Sequence, residues 1–432
     1  MVEKLVGDDL QEGMIKWRRD LHKHPESGFL EMRTASLVAP YLESLGYELK
    51  WAQDVMKAEH RMGVPSEEIL DAHYSWAEQN GADLDWLPKF KGGMTGIVAT
   101  LHTGKPGPVL AYRFDMDALD IQEDMTGGHV PFENGFASLN ASKMHACGHD
   151  GHTSIGLGLA KALIDNKEKL AGTIKLIFQP AEEGTRGAKS MVEAGVVDDV
   201  DFFIAMHLGT GVPTGEFIAG NSGFLATTKL DVAFKGVASH AGGKPEEGRN
   251  ALTAASSAVL ALYGIPRHSA GASRINVGVL TAGSGRNIIA PLAEMKLETR
   301  GETSEINDFI RFQALAVLNG AAAMYGVEVE MDIVGEAKSS MPSSKLVEDL
   351  AAIAEKSPYF NKVTTWSTDA AGSEDATYYM ERVKELGGLA TYCIVGSDLA
   401  AGHHNERFDF DEASMPAAVD VLLRSAFSLS NT

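Results

Sequence analysis

Cysteines and long apolar runs are both scarce in this chain. Only two cysteines, Cys147 and Cys393, occur among 432 residues, so a framework of several disulfides is excluded. No apolar stretch approaches the roughly 20 residues of a membrane-spanning helix. The first ten residues also lack the apolar core and the cleavage site of a signal peptide. These features predict a cytoplasmic protein without a membrane partner.

Basic residues are few in comparison with acidic residues. The chain has 38 Lys and Arg against 59 Asp and Glu, which gives a formal net charge of −21. Such a charge opposes binding to nucleic acid and to anionic membrane surfaces. The length predicts two or three domains, and a hydrophobic content of 44% is enough for sizeable cores.

One short segment is rich in side chains that bind metals. Residues 144–152 read Met-His-Ala-Cys-Gly-His-Asp-Gly-His, which places a thiol, three imidazoles and a carboxylate close together. An extended backbone would direct Cys147 and His149 to the same side, because side chains two residues apart share a face. For an isolated Cys-x-His pair, a polar loop around a buried structural cysteine is the alternative.

Each of four predicted strands is followed by side chains that can bind a metal. Ile155, Leu159 and Leu163 have helical spacing after a possible N-cap at 153–154, and strands that alternate with helices predict a mostly parallel sheet. Ligands of such sheets bind beyond the carboxyl ends of the strands. We therefore expect the ends of four strands to form one site. The predicted strands, each with the side chains that follow it, are 108–114 with Asp115 and Asp117, 173–178 with Glu182 and Glu183, 201–206 with His207, and 392–395 with His403 and His404.

The order of the predicted elements indicates an inserted domain. From about residue 222 the pattern is strand-helix-strand-strand-helix-strand, as in ferredoxin-like domains. We predict an α/β catalytic domain at 1–221 and 337–432, with a mostly parallel mixed sheet flanked by helices, and an α+β domain inserted at 222–336. Residues 52–92 are polar and helical, with a helix start at 65–68, and are interpreted as a helical insertion.

The candidate ligands outnumber the four that one structural zinc ion would use. Two ions that share a bridging group would employ them all. Of the neighbours Glu182 and Glu183, one could bind metal while the other acts as a general base, although a solvated acidic pair is the simpler explanation for two adjacent glutamates alone. A single-zinc deaminase is disfavoured, because the Pro-Cys-x-x-Cys part of that signature is absent.

Together these motifs resemble those of a known family. The chain resembles the M20 metallopeptidases, in the amidohydrolase branch that includes hippurate hydrolases and plant auxin-conjugate hydrolases. This resemblance implies a zinc-peptidase-like catalytic domain. The matching blocks run in order along almost the whole chain: Asp115–Leu119, His145–Thr153, Gln179–Gly184, Ser239–Gly242, Asn287–Ile289, Gly372–Asp375, and His404 with Phe408–Glu412.

The resemblance implies roles for the residues of the metal site. Glu182 is implied as the general base, and Asp115 and Asp117 are interpreted as groups that orient ligands. His404 is preferred to His403 because of its spacing to the following Phe-Asp-Phe motif. The resemblance also implies two divalent ions in each subunit, with manganese favoured and zinc as the alternative that a thiolate ligand makes plausible. The implied metal ligands are Cys147, His149, Glu183, His207 and His404.

Four further residues are candidates for substrate contacts or catalysis. The resemblance implies that the inserted domain forms a homodimer, or a heterodimer with a related subunit, and lends a catalytic His240 and a substrate-binding Asn287 to the partner's active site. Arg300 could bind a substrate carboxylate, but an exposed arginine on a strand is an equally good explanation. His152 would support the site or contact the substrate.

The activity implied by the resemblance is hydrolysis of the amide bond of a small N-acyl amino acid. Residues 52–92 are not typical of the branch, and with them the chain most resembles the p-aminobenzoyl-glutamate hydrolases. Hippurate-type or other aromatic N-acyl amino acids are the alternative substrates, since Asp120 and Asn405–Glu406 depart from the family pattern. The rival hypothesis is a non-catalytic, metal-binding assembly subunit, which the presence of Glu182 and His240 disfavours.

Overall fold

The computed structural model describes residues 4–368 and 372–432. These residues form two compact units, and the second is inserted into the first. The first unit consists of the described parts of Met1–Ser222, Ser340–Ala371 and Asp375–Thr432. The second consists of Gly223–Ser339 and Gly372–Glu374.

Helices and strands alternate through much of the chain. The helices are α1 (Asp8–Lys23), α2 (Met32–Ser44), α3 (Glu67–Gln79), α4 (Val130–Glu133), α5 (His149–Asp165), α6 (Ala188–Glu193), α7 (Ala251–Tyr263), α8 (Ser304–Tyr325), α9 (Ser344–Ala354), α10 (Thr377–Glu385) and α11 (Ser414–Leu429). The strands are β1 (Glu48–Trp51), β2 (Ile97–His102), β3 (Val109–Asp115), β4 (Thr173–Gln179), β5 (Phe202–Leu208), β6 (Glu216–Asn221), β7 (Ala226–Lys235), β8 (Ser273–Ala282), β9 (Leu292–Gly301), β10 (Glu328–Ala337), β11 (Lys362–Ser367) and β12 (Leu389–Val395). No helix in these described ranges has both the length and the apolar character needed to cross a membrane.

The first unit is organised around an eight-stranded sheet in the order β1-β2-β4-β3-β5-β12-β6-β11. The four strands predicted to carry the site are neighbours in it, since β4, β3, β5 and β12 pair in parallel. Their carboxyl ends therefore lie along one edge. The mostly parallel α/β sheet expected from the sequence is confirmed. Strands β6 and β11 were not predicted, and β6 pairs antiparallel with β12.

Helix α5 brings the metal-binding motif to this edge of the sheet. It contacts α1 and α11 and also β3 and β4. Gly156 permits this approach, because a Cβ atom there would lie 2.7 Å from the ring of Phe178 and 2.8 Å from that of Phe114. This close packing holds the first turn of α5 near the carboxyl ends of the strands.

The start of α5 differs from the sequence expectation. The helix begins at His149, and the residue before it, Gly148, has a left-handed φ of 89°. The predicted N-cap at Thr153–Ser154 is wrong, because these residues lie inside the helix, where the Thr153 hydroxyl donates to the carbonyl of Asp115. Cys147 and His149 are therefore not two residues of an extended segment.

The insertion at 52–92 contains a single α-helix among short 3-10 turns. Helix α3 begins after Ser66, whose Oγ accepts from the Ile69 N–H at 3.4 Å, as the sequence predicted. A small core that includes Leu70 and Leu87 joins the insertion to residues 30–32. The buried ring of His73 also lies 2.8 Å from Glu26 Oε1. The insertion thus packs on the loop between α1 and α2.

The second unit has the ferredoxin-like element order β7-α7-β8-β9-α8-β10. Its antiparallel sheet has the strand order β10-β7-β9-β8. Buried and exposed residues alternate along β9, which places helices α7 and α8 against one face of the sheet. The expected α+β fold is confirmed, and β8 is an edge strand.

Candidate metal centre

Several overlapping groups of potential metal ligands meet at the edge of the first unit's sheet, and two of them share Cys147. Cys147, His149 and His207 offer ligand atoms within 4.8 Å of one another, and so do Cys147, Glu183 and His404. The structure thus brings together all five residues that the family resemblance implied as ligands. Cys147 belongs to both groups, and a shared side chain is what two neighbouring ions with a bridging ligand require.

Different elements supply these five side chains. Cys147 precedes α5 and His149 is its first residue, while His207 lies near the end of β5. Glu183 and His404 come from loops that follow β4 and β12. The backbone of His404 has a left-handed φ of 64°, and its N–H donates to the carbonyl of Ala146 at 2.8 Å, which ties the loop beside Cys147.

Hydrogen bonds at Nδ1 leave Nε2 of two histidines available as a ligand atom. The Nδ1 of His207 lies 2.8 Å from the carbonyl of Leu208, and that of His149 lies 3.0 Å from the carbonyl of Asp117. Since carbonyls only accept, each Nδ1 carries a hydrogen, and Nε2 is the ring nitrogen that remains to bind a metal in its unprotonated form. The Nε2 of His207 is 3.5 Å from the sulfur of Cys147.

The buried Nε2 of His149 has no hydrogen-bond partner among the residues that the structure describes. Carboxylate oxygens of Asp115 and Glu182 lie 3.7 and 3.9 Å away. A buried ring nitrogen without a partner is uncommon in folded proteins. A metal ion that replaces the proton of this nitrogen would contact both the ring and the surrounding acids, so this arrangement fits a metal ion.

The charges of the cluster also fit a bound cation. Burial, reinforced by Glu183 and Glu182, raises the pKa of the Cys147 thiol well above its ordinary value. Burial alone would lower the pKa of His149, but Asp115 and Asp117 outweigh it and raise the pKa to about 10. A divalent ion would reverse both effects, since it stabilises the thiolate and displaces the proton from the imidazole.

His207 already has the protonation state of a metal ligand. Burial and the neighbouring rings of His152 and His403 hold its pKa well below the ordinary value. Its imidazole is therefore neutral near pH 7, which is the form that binds metals.

Two other histidines near the site are occupied by hydrogen bonds. The Nδ1 of His152 is 2.6 Å from Asp115 Oδ1, and its Nε2 accepts from the Leu208 N–H at 3.1 Å. Both nitrogens are thus engaged inside the protein, which favours the supporting role considered for His152. The ring of His403 lies 3.2 Å from the carbonyl of Leu208, whereas the Nε2 of His404 lies 3.4 Å from Glu183 Oε1. This difference supports the preference for His404.

Two buried acids position the loop that carries the adjacent glutamates. Asp117 accepts from the N–H of Glu182 at 3.1 Å and from that of Glu183 at 2.9 Å. Glu31 accepts from the N–H of Ala181 at 2.8 Å, and Ala181 has a left-handed φ of 53°. The orienting role expected for Asp117 agrees with these contacts. The sequence did not single out Glu31, whose distance along the chain hides its partnership with this loop.

A buried arginine below the site was also missed. Arg113 lies in the middle of β3, donates to Gln179 Oε1 at 2.8 Å, and forms ion pairs with Asp115 and, at 3.1 Å, with Asp375. Asp375 also accepts from the N–H of Ala188 at 3.0 Å. The sequence did contain a signal for it, namely a charged residue within an apolar strand. Such a residue indicates a buried ion pair, because buried charges are almost always paired.

Replacement of Arg113 by methionine is expected to destabilise the first unit by about 3–5 kcal/mol, because it leaves Asp115 and Asp375 buried without their guanidinium partner. The measurement is urea unfolding followed by tryptophan fluorescence, since all five tryptophans belong to the first unit. Lys161→Met is the matched control, because its partner Asp165 is exposed. Equal unfolding midpoints for the two variants would contradict the expectation.

The 52–92 insertion contacts the segment that follows Glu183. The Nε of Arg186 donates to the carbonyl of Glu183 at 2.9 Å, and its Nη1 donates to that of Gly63 at 3.1 Å. Lys57 donates its N–H to the carbonyl of Ser190 at 3.0 Å, and the Ser190 hydroxyl donates back to the carbonyl of Lys57 at 2.7 Å. The insertion is thus hydrogen-bonded to the chain just before α6 and within its first turn.

The remaining candidates lie in the second unit. His240 and Asn287 are both exposed and adjacent, since the N–H of Ala241 donates to the carbonyl of Asn287 at 3.0 Å. The N–H of Gly242 donates to Nδ1 of His240 at 3.2 Å. This bond places the ring hydrogen of the neutral imidazole on Nε2 and makes that atom a hydrogen-bond donor. Arg300 is bound by Glu298 through two hydrogen bonds of 2.9 and 3.0 Å.

Comparisons with known proteins agree with the motifs. The model of peptidase family M20/M25/M40 matches residues 111–428. An indole-3-acetyl-aspartic acid hydrolase of Enterobacter agglomerans is 55% identical over 415 residues, which are 96% of this chain and 95% of that relative. One of the subunits of p-aminobenzoyl-glutamate hydrolase from Escherichia coli (strain K12) is 53% identical over 421 residues, which are 98% of this chain and 97% of the relative.

Solved structures have the same fold. An aminobenzoyl-glutamate utilization protein from Klebsiella pneumoniae has a TM-score of 0.85 and 49% identity, with 97% of this chain and 96% of that chain covered. A Bacillus subtilis dinuclear metal-binding peptidase of the M20 family has a TM-score of 0.68 and 25% identity, with 99% and 100% covered. The resemblance inferred from the motifs is confirmed, including the likeness to p-aminobenzoyl-glutamate hydrolases, and the chain belongs to peptidase family M20/M25/M40.

Proposed function

We propose that the protein is a metal-dependent amidohydrolase that cleaves p-aminobenzoyl-glutamate to p-aminobenzoate and glutamate. The observation that carries this proposal is the pair of ligand groups that share Cys147, with Glu182 beside them. The 53% identity to the Escherichia coli p-aminobenzoyl-glutamate hydrolase chain supports the choice of substrate.

The proposed cofactor is a pair of divalent ions. One group of ligands is Cys147, His149 and His207, and the other is Cys147, Glu183 and His404. The dinuclear centre of the Bacillus subtilis relative supports the number of ions. We propose manganese, with zinc as the alternative because zinc accepts thiolate readily. When bound, such ions lower the pKa of a water molecule and stabilise negative charge on oxygen.

Glu182 is the proposed general base. It is 9% exposed, and Asp117 fixes its backbone. It is left over once the five ligands are assigned, although it lies beside His149. Its carboxylate takes a proton from the attacking water as oxygen adds to the amide carbon. The same proton then passes to the amide nitrogen, so that the C–N bond breaks with a neutral amine as the leaving group.

His240 is the proposed donor to the oxygen of the scissile carbonyl. His240 is exposed, and the bond to Nδ1 leaves Nε2 as the donor atom of its neutral ring. We propose that the second unit forms a dimer and that His240 and Asn287 act in the active site of the partner. The edge strand β8 supports this arrangement, because it can pair with a strand of a second copy.

A second candidate substrate is indole-3-acetyl-aspartate, which is favoured by the 55% identity to a hydrolase of that compound. The test compares kcat/KM of the purified protein for p-aminobenzoyl-glutamate, indole-3-acetyl-aspartate and hippurate, with metal analysis of the same sample. The proposal expects two ions per chain and the highest kcat/KM for p-aminobenzoyl-glutamate. Metal binding without hydrolysis of any of the three would support the non-catalytic alternative.

Cys147→Ser is expected to lower metal occupancy, and alkylation of Cys147 is expected to be faster in the metal-free protein than in the metal-loaded one. Coordination occupies the thiolate lone pair and shields the sulfur. Cys393→Ala provides the background for the measurement, because Cys393 is the only other thiol and is buried. Equal rates of alkylation with and without metal, followed by mass spectrometry, would exclude Cys147 as a ligand.

A further inference from the structure

The insertion at 52–92 has no part in the proposed chemistry, yet it contacts the loop that carries the candidate ligand Glu183. This loop, residues 180–187, lies between β4 and α6. Near its end, Nη1 of Arg186 donates to the carbonyl of Gly63 at 3.1 Å. Since Gly63 belongs to the insertion, this bond ties the loop to a part of the chain that is distant in sequence.

The backbone of this loop has a conformation that its own residues do not favour. Ala181 and Thr185 have left-handed φ angles of 53° and 62°, and Gly184 between them has a φ of 87°. Residues other than glycine keep such a conformation only where the surrounding structure imposes it. The position of Glu183 therefore depends on contacts from outside the loop.

Two contacts hold the peptide groups on either side of Glu183. Asp117 accepts from the N–H of Glu183 at 2.9 Å, and the Nε of Arg186 donates to its carbonyl, also at 2.9 Å. Because Arg186 belongs to the same loop, its bond fixes the carbonyl only if the guanidinium is itself held from elsewhere. The carbonyl of Gly63 provides that second attachment.

The guanidinium of Arg186 lies in a place that is shaped for it. Its Cζ is 5.7 Å from the ring centroid of Phe29, which is within the range of a cation–π contact, and the Phe29 side chain is fully buried. Gly28 leaves room for the group, since a Cβ atom there would overlap Nη2. The side-chain hydrogen bonds of Arg186 go to two backbone carbonyls and not to a carboxylate. Arg186 therefore acts through the directions of its donors, which a planar guanidinium fixes and a lysine does not.

We propose that the insertion positions the metal ligand Glu183 through Arg186, which is a positioning residue for the ion that Glu183 binds. This inference rests on the metal centre of the proposed function, but not on its substrate. The insertion is anchored by a core that includes Leu70 and joins it to residues 30–32. From this anchor Gly63 holds the guanidinium, and the guanidinium holds the backbone of Glu183.

The arrangement predicts an effect on one ion and not on both. Of the two ligand groups that share Cys147, the one with His404 includes Glu183. The other, which contains His149 and His207, has no member in the loop. Loss of a group that orients a ligand commonly lowers metal affinity by about 10- to 100-fold. We expect a loss of this size for the ion at Glu183 alone.

The test is calorimetric titration of the metal-free protein with Mn²⁺. Arg186→Met is expected to lower the affinity for one ion by about 10- to 100-fold and to leave the other near its wild-type value. Arg186→Lys keeps the charge but not the planar pair of donors, so it should behave like Arg186→Met. Lys57→Met is the matched control, because Lys57 is an exposed cation of the insertion and contacts Ser190 through backbone groups.

Three results of this titration would overturn the inference. The first is wild-type affinity for both ions in Arg186→Met, and the second is full recovery in Arg186→Lys, which would show that charge alone is needed. The third is equal weakening of both ions, which would indicate a general loss of structure.

A further variant tests the part played by the insertion itself. Leu70→Ala leaves Arg186 unchanged but opens a gap in the core that anchors the insertion. It is expected to weaken the same ion as Arg186→Met. If Leu70→Ala binds both ions as the wild type does, Arg186 acts without the insertion and the inference is refuted.

Metal binding and hydrolysis, measured on the same samples, separate this inference from the proposed function. Selective weakening of one ion in Arg186→Met, without hydrolysis of p-aminobenzoyl-glutamate by the wild type, would leave the positioning role standing and refute the proposed activity. Hydrolysis by the wild type, with unaltered metal affinities in Arg186→Met, would refute the positioning role alone. A wild-type protein that binds no metal would refute both.

Discussion

Glu182→Gln is expected to lower kcat by about 10²–10⁴-fold while both metal ions remain bound, because a general base contributes about that factor and is not itself a ligand. Glutamine keeps the size of the side chain but cannot accept the proton of the water. The backbone contact from Asp117 is unaffected by the change. The measurements are kcat with p-aminobenzoyl-glutamate and the metal content of the same preparation.

Glu183→Gln is the matched control, because it makes the same chemical change one residue along the loop. It is expected to lose metal, since Glu183 belongs to the group formed with Cys147 and His404. A Glu182→Gln protein with near-wild-type kcat, or one that loses metal as Glu183→Gln does, would show that the roles of the two glutamates are wrongly assigned.

Mixed dimers of two inactive variants are expected to recover activity, up to about half of the wild-type rate per dimer if the sites act independently. The variants are Glu182→Gln and His240→Ala. If His240 serves the partner's active site, a mixed dimer contains one centre with both Glu182 and His240 intact. The recovered rate is measured after the chains have exchanged, without any other kind of chain that could supply its own histidine.

The control for this experiment mixes Glu182→Gln chains with chains that carry both Glu182→Gln and His240→Ala. Every centre of these dimers lacks Glu182, so they should remain inactive. If mixed dimers of the two single variants are verified by mass spectrometry, retain metal and yet stay inactive, His240 does not act across the dimer.

The position of the candidate metal centre was predictable from local sequence. Apolar runs that end in Asp115, in Glu182 and Glu183, or in His207 predict parallel strands with ligands at their carboxyl ends, because strands in such sheets point the same way. The parallel pairing of β4, β3, β5 and β12 confirms that reasoning. The strand order itself was not predicted and comes from the structure.

The detailed geometry was less accessible. An extended Cys147–His149 segment was predicted from the two-residue spacing, but the left-handed backbone of Gly148 turns the chain directly into α5. A glycine adopts extended and left-handed conformations with similar ease, so its sequence environment does not distinguish them. The left-handed conformation of Gly148 is selected by the packing of α5 on β3 and β4.

The sequence by itself determined the α/β architecture and the inserted ferredoxin-like domain, because hydrophobic periodicity is a local property of the chain. The set of candidate ligands followed from motifs that resemble those of a known family. Only the tertiary structure decided which residues share an environment. It placed Cys147 in both ligand groups, engaged both nitrogens of His152, and joined Arg186 to Gly63. Such contacts join residues far apart in sequence, and their energies depend on burial and distance, which no local pattern specifies.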